Sequence, residues 1–147
     1  RCHEDKNPGV SISLVKNGTV LFTAGYGVTD NERKNNVTSS TLFNIASITK
    51  NVASSLLVKL LAEKTNLTVD STVRELLGDE FQLLDDVRAR EMTFADVVGH
   101  RTGVPPNNII RFDQTLTRKN LLQHLAKLKT PDQFRVKYYY NNLMYGL

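Results

Sequence analysis

Residues 10–22 read Val-Ser-Ile-Ser-Leu-Val-Lys-Asn-Gly-Thr-Val-Leu-Phe, two runs of strand-forming residues on either side of Asn17-Gly18. Asn-Gly supplies the positive φ angles that a two-residue primed turn requires, so the stretch predicts a β-hairpin. Gly25 and Gly27 flank Tyr26 and mark the end of the second strand, and the polar residues 29–40 read as a loop. Beyond it the period of the chain changes. Residues 47–63 place Ile48, Val52, Leu56 and Leu60 at four-residue spacing, with Leu57 and Leu61 beside them, which predicts a long helix with one face built for burial. Shorter helices are predicted over residues 71–77, over 94–98 behind Thr93 as N-cap, and over 118–128 behind Thr117 as N-cap. Pro105-Pro106 and Thr130-Pro131 interrupt the chain between them. A hairpin followed by helices argues for an α+β layout. A two-stranded hairpin is marginal alone, so its sheet is expected to be completed by further strands.

Composition narrows the function classes. With 147 residues, 40% of them hydrophobic and 23% charged, the chain can form one domain with a sizeable core. It opens on Arg1 and stops at Leu147 directly after an aromatic-rich run, and so reads as the N-terminal part, residues 1–147, of a single longer domain. The net charge of +4 and pI of about 9.3 would suit an anionic partner. Lys and Arg are scattered from Arg1 to Lys137, however, with no block longer than two, so nucleic-acid binding is not expected. No apolar run approaches the ~18 residues of a membrane span. Cys2 has no partner in view and reads equally as a free thiol or as half of a bridge. Three N-glycosylation sequons begin at Asn17, Asn36 and Asn66. About two are expected by chance, so they lean toward secretion without establishing it.

Ser47-Ile-Thr-Lys50 is an SxxK pattern, which arises by chance in a chain of this size about as often as not. The sequence carries its own control, because Ser13-Leu-Val-Lys16 fits the same pattern inside the first predicted strand. There side chains alternate, and residues three apart point to opposite faces. At Ser47 the pattern opens a predicted helix, where residues three apart are neighbours with Cβ atoms roughly 5–6 Å apart. A helix N-terminus also favours negative charge developing on a serine or its substrate. The competing reading makes Ser47 a simple N-cap. Lys50 fits that poorly, because a capping box takes Glu or Gln at this point and the helix dipole disfavours a cation. For a serine hydroxyl to be activated, Lys50 or a tyrosine must act as base with a pKa well below the ordinary value of about 10. A shift of ~3 units corresponds to about 4 kcal/mol, which requires a lid or second segment folded back over Ser47.

Phe43-Asn-Ile-Ala-Ser47-Ile-Thr-Lys50 resembles the first motif of class C β-lactamases, DD-peptidases and related esterases, the peptidase S12 family. Three further segments resemble that family in the same order: Pro8-Gly-Val-Ser-Ile-Ser-Leu-Val-Lys-Asn-Gly its first hairpin, Asp96-Val-Val-Gly-His100-Arg-Thr-Gly103-Val its His-containing turn, and Tyr140-Asn141-Asn142 its YxN motif. The resemblance spans nearly the whole chain. It implies a β-lactamase/transpeptidase-like α+β fold, with an N-terminal hairpin of an antiparallel sheet, a helical region, and the remaining strands C-terminal to residue 147. It also implies that Ser47 is the nucleophile, Lys50 its helix partner, Tyr140 the second proton-handling group and Asn142 the amide that contacts substrate and lysine. Tyr138, Tyr139 and Tyr145 read as packing residues, His100 as orienting a turn or filling a core site, and Gly103 as meeting a backbone need.

The function so implied is a serine hydrolase acting on an amide, β-lactam or ester carbonyl of a small-molecule or peptide substrate through an acyl-enzyme, with no metal or organic cofactor. The family's third motif, Lys or His, then Ser or Thr, then Gly, would lie beyond Leu147 together with the strand that supplies the second oxyanion-hole N–H. Loss of one such donor typically costs ~100- to 1,000-fold in rate. The other reading is a non-catalytic secreted or extracellular-matrix protein of the shell-matrix type that retains the fold. Oligomeric state is left open by the sequence.

Overall fold

The computed structural model of the chain describes residues 9–30, 32, 35–106, 110–130 and 133–147; Cys2, Pro8 and Pro131 lie outside them. The chain divides into two compact units, residues 1–46 and residues 47–147.

The first unit is built on the hairpin. Strands β1 (Gly9–Lys16) and β2 (Thr19–Gly27) pair antiparallel from Gly9↔Gly27 to Lys16↔Thr19. Asn17 and Gly18 turn the chain at φ 50° and 75°, as the Asn-Gly reading requires. Opposite the Leu14–Val15 step, the register shifts from Leu14↔Phe22 to Val15↔Val20, which leaves Leu21 as the extra residue of a β-bulge. The Ser13 hydroxyl lies 3.1 Å from Thr23 Oγ1 across the hairpin. The second SxxK pattern is thus a stretch of strand. Gly25 lies inside β2, two residues short of the strand's end. A Cβ there would run into the Val37 carbonyl, so the residue permits a close backbone approach. Val10, Ile12, Leu14, Val20, Leu21 and Phe22 are all exposed, the surface expected of a hairpin that belongs in a larger sheet.

The second unit is helical. A 3-10 turn, Ala46–Ile48, runs into α1 (Thr49–Lys64). Next come α2 (Val73–Leu77), α3 (Asp86–Glu91), α4 (Phe94–Val98) and α5 (Leu121–Leu125). Two starts are capping boxes: Thr72 with Glu75 opens α2, and Thr93 with Asp96 opens α4, each satisfying two N–H groups that a helix end leaves orphaned. Helix α3 does not stand out in the sequence because its residues, Asp-Val-Arg-Ala-Arg-Glu, are mostly charged; Asp85 caps it by accepting from the Arg88 N–H. Helix α5 is shorter than the predicted 118–128, since Thr117 and Asn120 close a turn of their own: the Thr117 N–H donates to Asn120 Oδ1 at 2.7 Å.

The core consists of Phe81, Met92, Leu125, Met144, Val73 and Val104, all under 2% exposed, with Leu61 contributed by α1. Here the sequence expectation needs correction. The stripe Ile48, Val52, Leu56 and Leu60 is exposed, and Leu57 and Leu61 are the pair that packs on the core. Helix α1 is apolar on more than one side, and four-residue spacing alone does not say which side its neighbours cover.

Candidate active site

Ser47 lies in the middle of the 3-10 turn, two residues before α1 begins. The turn is entered through Ala46 at φ 44°. The helix N-cap is Ile48, which makes no side-chain cap bond. The simple N-cap reading of Ser47 is therefore set aside, and Lys50 is the second residue of α1 rather than the third. No acidic residue occupies the first turn of α1, so its positive dipole end is left to whatever negative charge develops near Ser47.

The other half of the site arrives from the far end of the chain. Residues 135–141 run alongside residues 100–104, held by the Arg135 N–H on the Arg101 carbonyl at 2.9 Å and the Tyr139 N–H on the His100 carbonyl at 2.7 Å. The turn they follow needs two left-handed residues, His100 at φ 56° and Gly103 at φ 64°, which is the backbone need expected of Gly103. This limb brings Tyr140 and Asn142 back onto α1. The Tyr140 hydroxyl donates to Ser47 Oγ at 2.6 Å. Lys50 Nζ donates to the same oxygen at 3.2 Å and to Asn142 Oδ1 at 2.8 Å. The ammonium also lies 4.9 Å from the Tyr140 ring centroid and 5.4 Å from that of Tyr145, close enough for cation–π attraction. All four residues named from the sequence, Ser47, Lys50, Tyr140 and Asn142, therefore meet within one hydrogen-bonded cluster.

The electrostatics differ from the buried site that the sequence argument called for. Ser47 is exposed and Lys50 half-buried, so the chain folds back without sealing the serine among the described residues. What acts on the phenol is chiefly hydrogen bonding, with the charge of Lys50 as a smaller contribution. The Lys50 ammonium, and after it the Ser47 hydroxyl, hold Tyr140 below its ordinary value of 10, against a smaller opposing effect of burial. Hydrogen bonding and a nearby cation both favour the phenolate.

Residues to which the sequence reading gave no catalytic role support the cluster from behind. Asn141 is completely buried. Its Nδ2 donates to the carbonyls of Val104 at 2.9 Å and Pro105 at 3.0 Å, and its Oδ1 accepts from the N–H groups of Leu143 at 2.8 Å and Met144 at 3.1 Å. That is the full capacity of an amide side chain. The signal was available: in an extended segment, residues 140 and 142 share one side and 141 faces the other. The Tyr145 hydroxyl is 2.6 Å from Ser54 Oγ and donates to the Val98 carbonyl at 3.3 Å. Ser54 sits one turn beyond Lys50, on the same face of α1, and donates to the Lys50 carbonyl at 2.8 Å.

Asp96, 0% exposed, joins α4 to the limb. It receives Arg135 through Nε at 2.9 Å and a second nitrogen at 2.8 Å, Arg101 at 3.2 Å, and the Thr93 N–H and hydroxyl, both at 3.0 Å. Burial alone would raise this carboxyl, but Arg135 and Thr93 together hold it below its ordinary 3.8.

A cavity of about 220 Å³, lined by Leu57, Val73, Phe94, Val97 and Met144 among others, lies on the core side of α1. It includes none of Ser47, Lys50, Tyr140 or Asn142 and is a packing feature beside the cluster. Among the described residues, no three His, Cys, Asp or Glu side chains are grouped so as to hold a metal ion, and no helix is long and apolar enough to cross a membrane. The sequon asparagines lie elsewhere on exposed surface: Asn17 at the hairpin turn, Asn36 at an isolated bridge to Val28, and Asn66 shortly after α1.

Comparison with known proteins places these features in a family. The chain is 35% identical over 149 residues to Gigasin-6 of Magallana gigas, covering 99% of this chain and 49% of that protein. It is 29% identical over 147 residues to the unguisins hydrolase ungD of Aspergillus violaceofuscus, covering 95% of this chain and 26% of that one. The chain thus spans about half the length of the first relative and about a quarter of the second. Its fold matches that of an octameric penicillin-binding protein homologue from Pyrococcus abyssi with a TM-score of 0.78 at 23% identity, covering 99% of this chain and 34% of the other. The Beta-lactamase family matches residues 2–147, and the chain belongs to that serine β-lactamase-like family.

Proposed function

We propose that the full-length protein is a serine hydrolase that cleaves an amide, β-lactam or ester carbonyl through an acyl-enzyme on Ser47. The observation that carries this reading is the convergence of Lys50 Nζ and the Tyr140 hydroxyl on Ser47 Oγ, at 3.2 and 2.6 Å. One serine oxygen thereby has two proton-handling neighbours, the arrangement that nucleophilic catalysis requires. With Tyr140 as phenolate, the 2.6 Å contact reverses and the Ser47 hydroxyl donates. Attack of Oγ on the substrate carbonyl forms the C–O bond as the proton passes to Tyr140, and the same proton then goes to the departing amine or alcohol. Water, deprotonated by the same group, attacks the ester and returns Ser47 to its starting state. Lys50 holds the phenolate and Ser47 Oγ in place, and Asn142 anchors Lys50. The Ser47 backbone N–H provides one half of the oxyanion hole.

The substrate is a small molecule or a peptide. An extracellular setting accompanies this proposal, supported by the exposed asparagines at all three sequons. The test is covalent labelling of full-length protein with a fluorophosphonate and with a β-lactam, followed by peptide mass spectrometry. The label is expected on Ser47 and lost in Ser47→Ala. Label on another serine with Ser47 unmodified sinks the proposal and leaves a non-catalytic matrix-type role in its place.

A further inference from the structure

His100 is 5% exposed and meets the limb twice. Its carbonyl accepts from the Tyr139 N–H at 2.7 Å, and its Nδ1 accepts from the Asn141 N–H at 3.1 Å. The imidazole lies 4.5 Å from the Tyr140 ring, 5.0 Å from Tyr145 and 5.3 Å from Tyr138, centroid to centroid. Because Nδ1 accepts, the neutral ring carries its proton on Nε2.

The two hydrogen bonds grip the residues on either side of Tyr140. That grip matters because the sequence offers two registers: Tyr139-Tyr140-Asn141 has the same Tyr-x-Asn spacing as Tyr140-Asn141-Asn142. We propose, on the basis of the acyl-transfer reading above, that His100 is a positioning residue whose neutral imidazole pins the limb in the register that presents Tyr140 to Ser47, and whose protonation releases it. An imidazolium has an N–H on both nitrogens, so Nδ1 then meets the Asn141 N–H donor to donor. The titratable groups around the ring are Lys50 from α1 and Tyr138, Tyr140 and Tyr145 from the limb and C-terminal turn; Asp96 of α4 is taken up by Arg101 and Arg135. Burial, and after it the positive charge of Lys50, hold the imidazole below its ordinary 6.5. The pin is therefore intact at neutral pH and is lost on the acid side of that value.

Two variants of the full-length protein separate this role from mere packing. His100→Asn places an amide oxygen near the position of Nδ1 and tolerates the left-handed φ, but cannot titrate. His100→Phe keeps a ring and removes the acceptor. Ser47 labelling rates are measured from about pH 5 to about pH 9, alongside NMR of the wild-type imidazole and tyrosine rings. The wild type should show an Nε2–H tautomer at neutral pH and Tyr140 resonances that shift with His100, together with a loss of labelling below the ordinary imidazole value. His100→Asn should label within roughly threefold of wild type at neutral pH and lack that acid loss. His100→Phe should be slowed at least about tenfold throughout. An Nδ1–H tautomer, Tyr140 resonances silent through the titration, or an unchanged acid limb in His100→Asn would overturn the proposal. The NMR titration and the Asn variant decide it even where the Phe variant folds poorly. A wild type that never labels at Ser47 strikes the acyl-transfer reading instead, and the NMR arm still judges His100.

Discussion

Replacing Asn141 with alanine should destabilise the supporting side of the site without changing any residue of the cluster itself. The wild-type amide makes four hydrogen bonds within a fully buried environment. Alanine orphans the N–H groups of Leu143 and Met144, residues that are 6% and 0% exposed, at about 1–3 kcal/mol each. The Val104 and Pro105 carbonyls lose a donor, at smaller cost because a carbonyl tolerates under-satisfaction better than an N–H. Partial relaxation of the C-terminal 3-10 turn, Met144–Gly146, offsets part of this, giving a net destabilisation of about 2–5 kcal/mol. With a urea m-value of about 2 kcal/mol/M, the unfolding midpoint of the full-length protein should fall by about 1–2.5 M, followed by circular dichroism. Asn141→Asp supplies an internal check. It keeps both acceptor contacts but turns an oxygen toward two carbonyls, which raises the folded-state carboxyl above its unfolded value of about 3.9. Such a group penalises the fold increasingly as pH rises through the unfolded value toward the folded one, so this variant should be closer to wild type near pH 4 than at neutral pH. Asn142→Ala, in contrast, removes only the Lys50 contact and should keep the wild-type midpoint while slowing Ser47 labelling. An Asn141→Ala protein within about 0.5 kcal/mol of wild type would refute the reasoning, since no relaxation of one short turn can hide two buried N–H groups.

Two other outcomes follow from the same geometry. Tyr140→Phe removes the proton-handling oxygen from an exposed ring, so Ser47 labelling should slow by about 100- to 10,000-fold with the thermal midpoint unchanged; equal labelling rates would remove Tyr140 from the mechanism. Arg135→Ala strips the bidentate partner from buried Asp96, whose Arg101 and Thr93 contacts survive. Because Arg135 is itself 41% exposed, the cost is discounted from the usual buried-pair value to about 1–3 kcal/mol. Asp96 is held below 3.8 in the wild type, so its contribution is present above that range and lost as pH falls through the depressed value. In the variant the loss should begin at higher pH, and an acid-unfolding midpoint that does not move would count against this assignment.

The parts of this molecule that were legible in the sequence are those governed by local rules. Asn17-Gly18 needed only its own φ angles to mark the hairpin, and Thr93 needed only its place before the helix to mark the N-cap of α4. The pairing of Ser47 with Lys50 was readable because the helix period makes them neighbours. What was not legible depended on choices made elsewhere in the chain. Helix α1 offers apolar residues on several sides, and the packing of its neighbours on Leu57 and Leu61, rather than on Val52 and Leu56, is set outside its own sequence. Helix α3 lacks an apolar period and is held by the Asp85 cap and by Arg88, whose guanidinium donates to the Thr102 carbonyl at 3.2 Å. The expectation of a dry pocket over Ser47 came from assuming that burial alone can shift a base. Hydrogen bonding from Lys50 and Ser47, with the Lys50 charge added, lowers the Tyr140 phenol instead, with the serine still exposed.

The site is at bottom a meeting of two periods. Helix α1 repeats every 3.6 residues and presents Lys50 and Ser54 toward the limb, with Ser47 in the 3-10 turn that leads into it, while the limb repeats every two and presents Tyr140 and Asn142. A helix cannot slide by one residue without breaking its ladder, but an extended segment can, and this one reads Tyr-Tyr-Tyr-Asn-Asn, nearly unchanged by a one-residue slip. In the slip that brings Tyr139 and Asn141 to the cluster, side-chain identity there therefore cannot select the register; the opposite side of the limb has to. There the alternatives are unequal. In the observed register, Asn141 fills a buried slot with four partners and Arg135 reaches Asp96. A slip by one residue would send Tyr140 or Asn142 into that slot, one too large for it and the other leaving Lys50 without its Asn142 contact. The buried polar residues behind the site thus supply the specificity that the exposed tyrosines and asparagines lack, which is the use of buried polar groups that outlasts their modest net contribution to stability.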